Sequence, residues 1–392
     1  MPVDIHDVAV VGLGAVGSAA LLALARRGIR AIGIDRHAPP HHLGSSHGES
    51  RITRQAIGEG LAYVPLVLRS NVIWEDLESL TGERLLERCG FLYITRDGGR
   101  SVHHGKVDFL QRTVRAARTF GIAHDLLDAP AIAARFPHFT GLVGDETGYF
   151  EPGGGFLRPE NCIAACLTEA QRLGARALTH LRVGALTATP QGVRIETEDG
   201  PILARRAILA VGSWAPAFPG VAVARRIVVH RQVLHWFDVE DRTSQGKGSS
   251  PTFIWTHGQG DADQFYGFPP IAGEVKVAQE DYDGEFDPEI SQRRIGPAVG
   301  QAMAARHVRG RLAGLSRSPT RSELCHYAVT PDSDFIIDVL DECVIFASAC
   351  SGHGFKHAAA VGEGLAQWAI GETGGIDLSP FSSARFSSPA EA

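Results

Sequence analysis

The stretch Val8-Ala9-Val10-Val11-Gly12-Leu13-Gly14-Ala15-Val16-Gly17, completed by Asp35, decides the reading of the fold. Val8 to Val11 is a β-branched strand run, Ala15 to Arg27 an alanine- and leucine-rich helical run, and Ala31 to Ile34 a second strand. The three glycines sit at the strand-to-helix junction. Gly12 permits a tight turn, Gly14 lets backbone approach a pyrophosphate, and Gly17 lets the helix lie close to the strand. The helix start then offers unpaired N–H groups and a positive dipole end to phosphates. Asp35, eighteen residues past Gly17, stands near the distance expected of a carboxylate that binds a ribose hydroxyl. It argues against a 2′-phosphate, while the motif by itself does not separate NAD from FAD.

The same stretch, Val8 to Ala25, is apolar over about the length of a membrane span. Asp4 and Asp7 precede it where a signal peptide carries Lys or Arg, and the glycines divide it into strand and helix. The expectation is a protein without a membrane anchor. With 38 Lys and Arg against 44 Asp and Glu, the net charge of −6 opposes a nucleic-acid binder. The six cysteines form no CxxC pair and no dense framework, which fits a reduced, cytoplasmic setting.

Outward from the first βαβ unit, Pro159 to Gly174 has helical spacing. Strand-like runs follow at Ala175 to His180, Gly192 to Glu198 and Ile202 to Ala210, with a hairpin signal at Asp199-Gly200. A late glycine junction at Ser351-Gly352-His353-Gly354-Phe355-Lys356 precedes a helix from about His357 to Ile370. Nucleotide-fold elements thus occur at the start, middle and end of 392 residues. The expected architecture is α/β. A discontinuous dinucleotide-binding domain (1–80, 151–216 and 321–380) is interleaved with an α+β substrate domain on a mixed sheet (81–150 and 217–320). The Ser-, Pro- and Ala-rich tail, 381–392, is expected to fray, and His103-His104 reads as surface loop. Adjacent histidines rarely converge on one ion, and His41, His42 and His47 lack further ligands at suitable spacing, so no metal site is expected.

Several further blocks stand in order along the chain: Pro39-Pro40-His41; Gly44-Ser45-Ser46-His47-Gly48-Glu49-Ser50-Arg51-Ile52-Thr53-Arg54; Gly58-Glu59-Gly60; Tyr266-Gly267-Phe268-Pro269; Lys276; Cys325-His326-Tyr327; and Asp334-Phe335-Ile336-Ile337-Asp338. With the amino-terminal motif and the late glycine block, they make nearly the whole chain resemble the monomeric sarcosine oxidase and N-methyl-L-tryptophan oxidase group of flavoproteins. The resemblance implies a Rossmann-like FAD domain of the glutathione-reductase type and a monomer. Its substrates would be a small amino acid and O2. It implies FAD held at Gly12, Gly14, Gly17, Asp35, Ser45, Arg51, Val183, Gly352, His353, Gly354 and Lys356, and joined through a thioether to Cys325. Cys325 also stands in a more polar stretch than Cys343 or Cys350.

By the same resemblance Arg54 and Lys356 bind the substrate carboxylate, a role suited to charge-assisted hydrogen bonds. Tyr266 and Tyr327 line the pocket. Arg51 and His47 lie beside the isoalloxazine, where cations favour its reduced form, and Lys276 promotes reaction with O2. The chain departs from the sarcosine-type enzyme at Ser46 and Glu280, both histidine there. Gly155-Phe156-Leu157-Arg158 and Tyr63-Val64-Pro65-Leu66 lean toward the N-methyltryptophan type, and a cyclic amino acid such as pipecolate stays open as substrate. Two rival classes remain: a nicotinamide dehydrogenase, which has no use for Cys325, and a flavoprotein passing electrons to a partner.

Overall fold

The computed structural model describes residues 5–96, 103–241, 250–258, 261–291 and 293–386. The stretch that opens the chain folds as its pattern dictates: strand Ile5–Val11, helix Ala15–Arg26, strand Ala31–Ile34. The first strand is central in a mixed sheet. It pairs in parallel with Ile202–Leu209 on one side and Ala31–Ile34 on the other. Arg176–Leu178 extends the sheet beyond Ala31–Ile34, and Val344–Ser348 joins Ile202–Leu209 in parallel. Val183–Thr189, Gly192–Thr197 and Ile202–Leu209 form an antiparallel meander, with the Asp199-Gly200 turn between the last two. Helix Ala15–Arg26 is buried over most of its length and packs between helices Pro159–Arg172 and Ala358–Ile370. Being covered by helices explains its lack of a polar face.

A second mixed sheet runs Arg321–Val329, Val228–Asp238, Glu274–Ala278, Gln264–Gly267, Thr252–Thr256, Phe91–Arg96, Glu146–Glu151, Asp125–Asp128. It carries its own apolar core, built around Phe139, Phe237, Phe253, Trp255 and Phe265. A small sheet of Arg51–Thr53, Gly155–Leu157 and Leu86–Glu87 stands apart from both. Among the described residues no helix is long and apolar enough to cross a membrane.

Three details differ from the sequence reading. Arg321–Val329, which carries Cys325, was grouped with the dinucleotide-binding segments but is hydrogen-bonded along its length to Val228–Asp238 in the second sheet. Strand pairing depends on partners nearly a hundred residues away, which local pattern does not reveal. The start of the tail is anchored rather than frayed. Phe381 is buried, Arg385 Nε donates to Asp332 at 2.7 Å, and the Ser383 amide donates to Asp338 at 2.9 Å. Residues 387–392 lie outside the described residues. Finally, His103 and His104 are buried at 4% and 6% exposure, not displayed on a surface loop.

Candidate active site

The glycine turn opens onto a cleft of about 330 Å³, lined by Gly12, Gly14, Asp35, Ser45, Arg51, Val183, Gly352 and Gly354. Gly17 sits behind the turn: a Cβ there would lie 1.8 Å from the Gly12 carbonyl oxygen. Gly12 has φ +88°, and its Cβ would meet the Ala210 carbonyl oxygen at 2.5 Å. At Gly14, by contrast, a Cβ would meet nothing within 4 Å. That space faces a helix N-terminus with no side-chain cap, the arrangement that receives a pyrophosphate. Asp35 braces the turn, its Oδ2 accepting from the Leu13 amide at 2.7 Å and its Oδ1 from the His37 amide at 2.8 Å. Arg36 lies over the Trp214 ring and pairs with Glu289, tying the two halves of the chain across the cleft mouth. The residues present fit a flavin dinucleotide.

At one end of the cleft the small sheet meets the second sheet. Arg51 Nη2 donates to Cys325 Sγ at 3.4 Å and to the Ser45 carbonyl at 2.8 Å. Burial raises the Cys325 thiol pKa, but the Arg51 charge and the adjacent His47 outweigh it and bring the thiol down to about 7. His47 suffers the same desolvation, yet Cys325 and Glu323 hold its pKa up at about 9. The result is a buried cysteine with thiolate character, the form in which sulfur is nucleophilic. Cys162 and Cys166, in apolar surroundings, have raised pKa values. Lys276 is 2% exposed in strand Glu274–Ala278. Its Nζ donates to the Gly48 and Ser50 carbonyls, both at 2.6 Å, and lies 4.2 Å from the centre of the Phe268 ring. Burial and Arg51 together push its pKa well below the ordinary lysine value.

A second cavity, about 60 Å³, adjoins the cleft and shares Arg51, Tyr327, Gly352 and Phe355 with it. Arg54, Lys356, His353, Tyr266, His103, His104 and Glu280 supply its polar wall, and Ile52, Ile254 and Phe268 an apolar one. Arg54 is 1% exposed. Its Nη2 donates to both Glu59 oxygens, at 2.7 and 2.9 Å, while its Nε has no hydrogen-bond partner. Lys356 Nζ donates to the His353 carbonyl at 2.7 Å, and burial lowers its pKa to about 7. Tyr266 and Tyr327 hydroxyls lie 3.2 Å apart. His353 Nε2 lies 3.0 Å from the Ser333 carbonyl, and burial holds its pKa well below the usual value.

His104 bridges two carboxylates, Nδ1 to Glu59 at 3.1 Å and Nε2 to Glu280 at 3.0 Å. Burial would lower its pKa, but Glu280 and Glu59 overrule it and raise the value to about 9. Burial and the positive charge of His104 lower His103 to about 3. Glu59, His103 and His104 have their ligand atoms within 4.8 Å of one another. With Arg54 bound to Glu59 and Lys356 close by, the group is already charge-compensated and offers a cation little.

A family model described as FAD dependent oxidoreductase matches residues 7–368. The N-methyl-L-tryptophan oxidase of Salmonella agona is 34% identical over 388 residues, covering 97% of this chain and 99% of that protein, and the Yersinia pestis enzyme is equally similar. The chain belongs to the FAD-dependent oxidoreductases. Among solved structures, NikD, an amino acid oxidase essential for nikkomycin biosynthesis, superposes with a TM-score of 0.83 at 23% identity, covering 97% of each chain. The L-proline dehydrogenase of P. horikoshii superposes at 0.82 with 20% identity, covering 98% of each. Both show the fold.

In this FAD-dependent oxidoreductase most of the sequence-derived residues line the two adjoining cavities. Gly17 lies behind the first, and His47, Lys276 and Cys325 line neither, standing instead beside Arg51. Sequence reasoning passed over Glu59 and His104. Glu59 was visible as an acid five residues beyond Arg54. His104 gave no usable local signal, because its partners lie 45 and 176 residues away. Glu160 was also missed; it accepts from the Gly48 amide at 2.6 Å and fixes the turn that presents Arg51.

Proposed function

We propose that this protein is a cytoplasmic, monomeric oxidase of secondary amines. On this reading it converts an N-methyl amino acid and O2 to an imine and H2O2, the imine hydrolysing to release formaldehyde. The observation that carries it is the pairing of cavities: a buried, donor-rich pocket opening on the end of a dinucleotide cleft where a reactive cysteine sits. The relatives named for N-methyl-L-tryptophan support the substrate class.

Segments 1–80, 151–216 and 321–380 hold most of the cofactor, with Gly12, Gly14 and the helix start at the pyrophosphate and Asp35 at the ribose. Cys325, with its thiol held near neutral pKa by Arg51 and His47, would tether it through a thioether. When bound, FAD supplies the hydride acceptor and the electrons that reduce O2. The chain's own residues do the rest. Arg54, through its unpartnered Nε, and Lys356 receive the substrate carboxylate by charge-assisted hydrogen bonds. Tyr266 and Tyr327 would line the substrate pocket with aromatic walls and hydroxyl groups. Arg51 and His47 would place positive charge beside the ring, and Lys276 would offer a donor to oxygen as it is reduced.

A peroxide-coupled screen of N-methylated and cyclic amino acids on the purified protein tests the reading. Peroxide release with at least one secondary amino acid is expected. A nicotinamide requirement, or reduction of an artificial electron acceptor without peroxide, would overturn it.

A further inference from the structure

We propose that the turn at 48–50 is the element that positions Lys276 for the oxygen half of the reaction, and that Glu160 and Glu49 are the residues that hold the turn in place. Neither carboxylate lines the cleft or the smaller cavity beside it, so both act through the lysine. The proposal rests on the secondary-amine oxidase reading, in which Lys276 meets oxygen, and adds what fixes that lysine.

The first observation is how Lys276 is held. Its Nζ donates to the Gly48 and Ser50 carbonyls, both at 2.6 Å, and among the described residues these are its only hydrogen bonds. The Phe268 and Trp236 rings, 4.2 and 5.9 Å away, confine the nitrogen without aiming it. Two carbonyls of one turn therefore set where the remaining position on Nζ points.

The second is that the turn cannot keep its shape unaided. Glu49 has φ +69°, a left-handed conformation uncommon for a residue with a Cβ and kept only where the surroundings impose it. Gly48, at φ +88°, lies so close to the second sheet that a Cβ would meet Leu234 Cδ1 at 2.5 Å.

The third is the grip on it from two sides. Glu160 Oε1 accepts from the Gly48 amide at 2.6 Å, and both its oxygens accept from the Glu49 amide at 3.2 Å. Glu160 stands in the first turn of helix Pro159–Arg172, where the dipole favours a carboxylate. From the other side, the Glu49 carboxylate accepts from Trp236 Nε1 at 3.0 Å and Arg321 Nη2 at 2.6 Å. Trp236 pairs with Arg321 on one neighbouring strand and with Lys276 on the other. The sheet that carries the lysine thus also carries the donors that fasten its acceptors. Arg51 shares the Ser50 carbonyl at 2.9 Å but keeps separate bonds to the Ser45 carbonyl and Cys325. Loosening the turn should therefore fall mainly on Lys276.

The test is stopped-flow kinetics on the flavin-bearing protein, its flavin reduced photochemically so that no substrate is needed. Reoxidation by O2 should slow threefold or more in Glu160→Ala and in Glu49→Ala, while anaerobic flavin reduction by a secondary amino acid changes by less. Glu160→Ala combined with Lys276→Met should reoxidise no more slowly than Lys276→Met alone. Amide exchange over residues 45–52, read by mass spectrometry, should quicken at least threefold in Glu160→Ala, independently of turnover. If Glu160→Ala does not retain flavin, the same comparisons with Glu49→Ala decide. Reoxidation slowed by less than threefold, an equal loss in flavin reduction, unchanged amide exchange, or a further threefold loss on top of Lys276→Met overturns the positioning role. Reoxidation unaffected by Lys276→Met itself removes the oxygen role of the lysine and this role with it. No flavin reduction by any secondary amino acid is a separate result, seen in the other half-reaction, and removes the oxidase reading together with the proposal.

Discussion

Cys325 and Lys356 are the two residues whose ionisation the fold shifts most usefully. For Cys325, Arg51 and His47 overcome burial to hold the thiol near 7, so a thioether tether is chemically accessible at neutral pH. Unfolding and acid precipitation should leave yellow colour on the polypeptide, and Cys325→Ala should release it to the supernatant. Colourless pellets from the unaltered protein would contradict the tether. For Lys356 the sign is that of a depressed base: cationic below about pH 7, neutral above. A carboxylate ligand such as acetate should bind with near-constant affinity from about pH 5.5, where it is largely ionised, to pH 7, and progressively more weakly above it. Lys356→Met should flatten that profile, as a titration of the flavin spectrum would record. Arg54 was legible from its sequence block, but its bidentate pairing with Glu59 was not. Removing that partner by Glu59→Ala should cost about 3–5 kcal/mol in urea unfolding, the usual penalty for stranding one member of a buried ion pair.

At the scale of elements, the βαβ unit was readable because its information is local. Strand, turn and helix each carry their own period, and the glycines mark the joints. Two of those glycines make opposite predictions. Gly17→Ala forces a Cβ to 1.8 Å from the Gly12 carbonyl oxygen, so the helix must shift. The expected loss is about 3 kcal/mol or more, with a lower Tm and little bound flavin. Gly14→Ala meets nothing in the protein within 4 Å. In the Cys325→Ala background, where FAD can be removed, it should leave the flavin-free Tm nearly unchanged, yet rebind less FAD. Equal flavin content in Gly14→Ala and the unaltered protein would show that the open space is not the pyrophosphate site. Strand Arg321–Val329 and the His103-His104 pair illustrate the opposite limit. Their positions are set by partners far along the chain, and neither periodicity nor composition encodes that.

Across the whole molecule, the glycine-turn cleft and the smaller cavity beside it meet where all three sheets contribute: Arg51 from the small one, Lys276 and Cys325 from the second, and the turn after Val344–Ser348 from the first. The sequence indicated a cofactor domain and an interleaved substrate domain, but not that Cys325, proposed as the tether, stands on the second sheet. FAD binding should therefore stabilise the chain as a unit. In Cys325→Ala, where FAD can be removed, adding it at about a hundred times its Kd should contribute roughly 2.7 kcal/mol and raise a single Tm. The most direct test of the central claim is the flavin absorbance under anaerobic conditions as a secondary amino acid is added. The account predicts bleaching of the visible band, its recovery with release of H2O2 when air is admitted, and no bleaching by a secondary amine that lacks a carboxylate. A flavin that stays oxidised with every secondary amino acid, or bleaches equally with the uncharged amine, would contradict it.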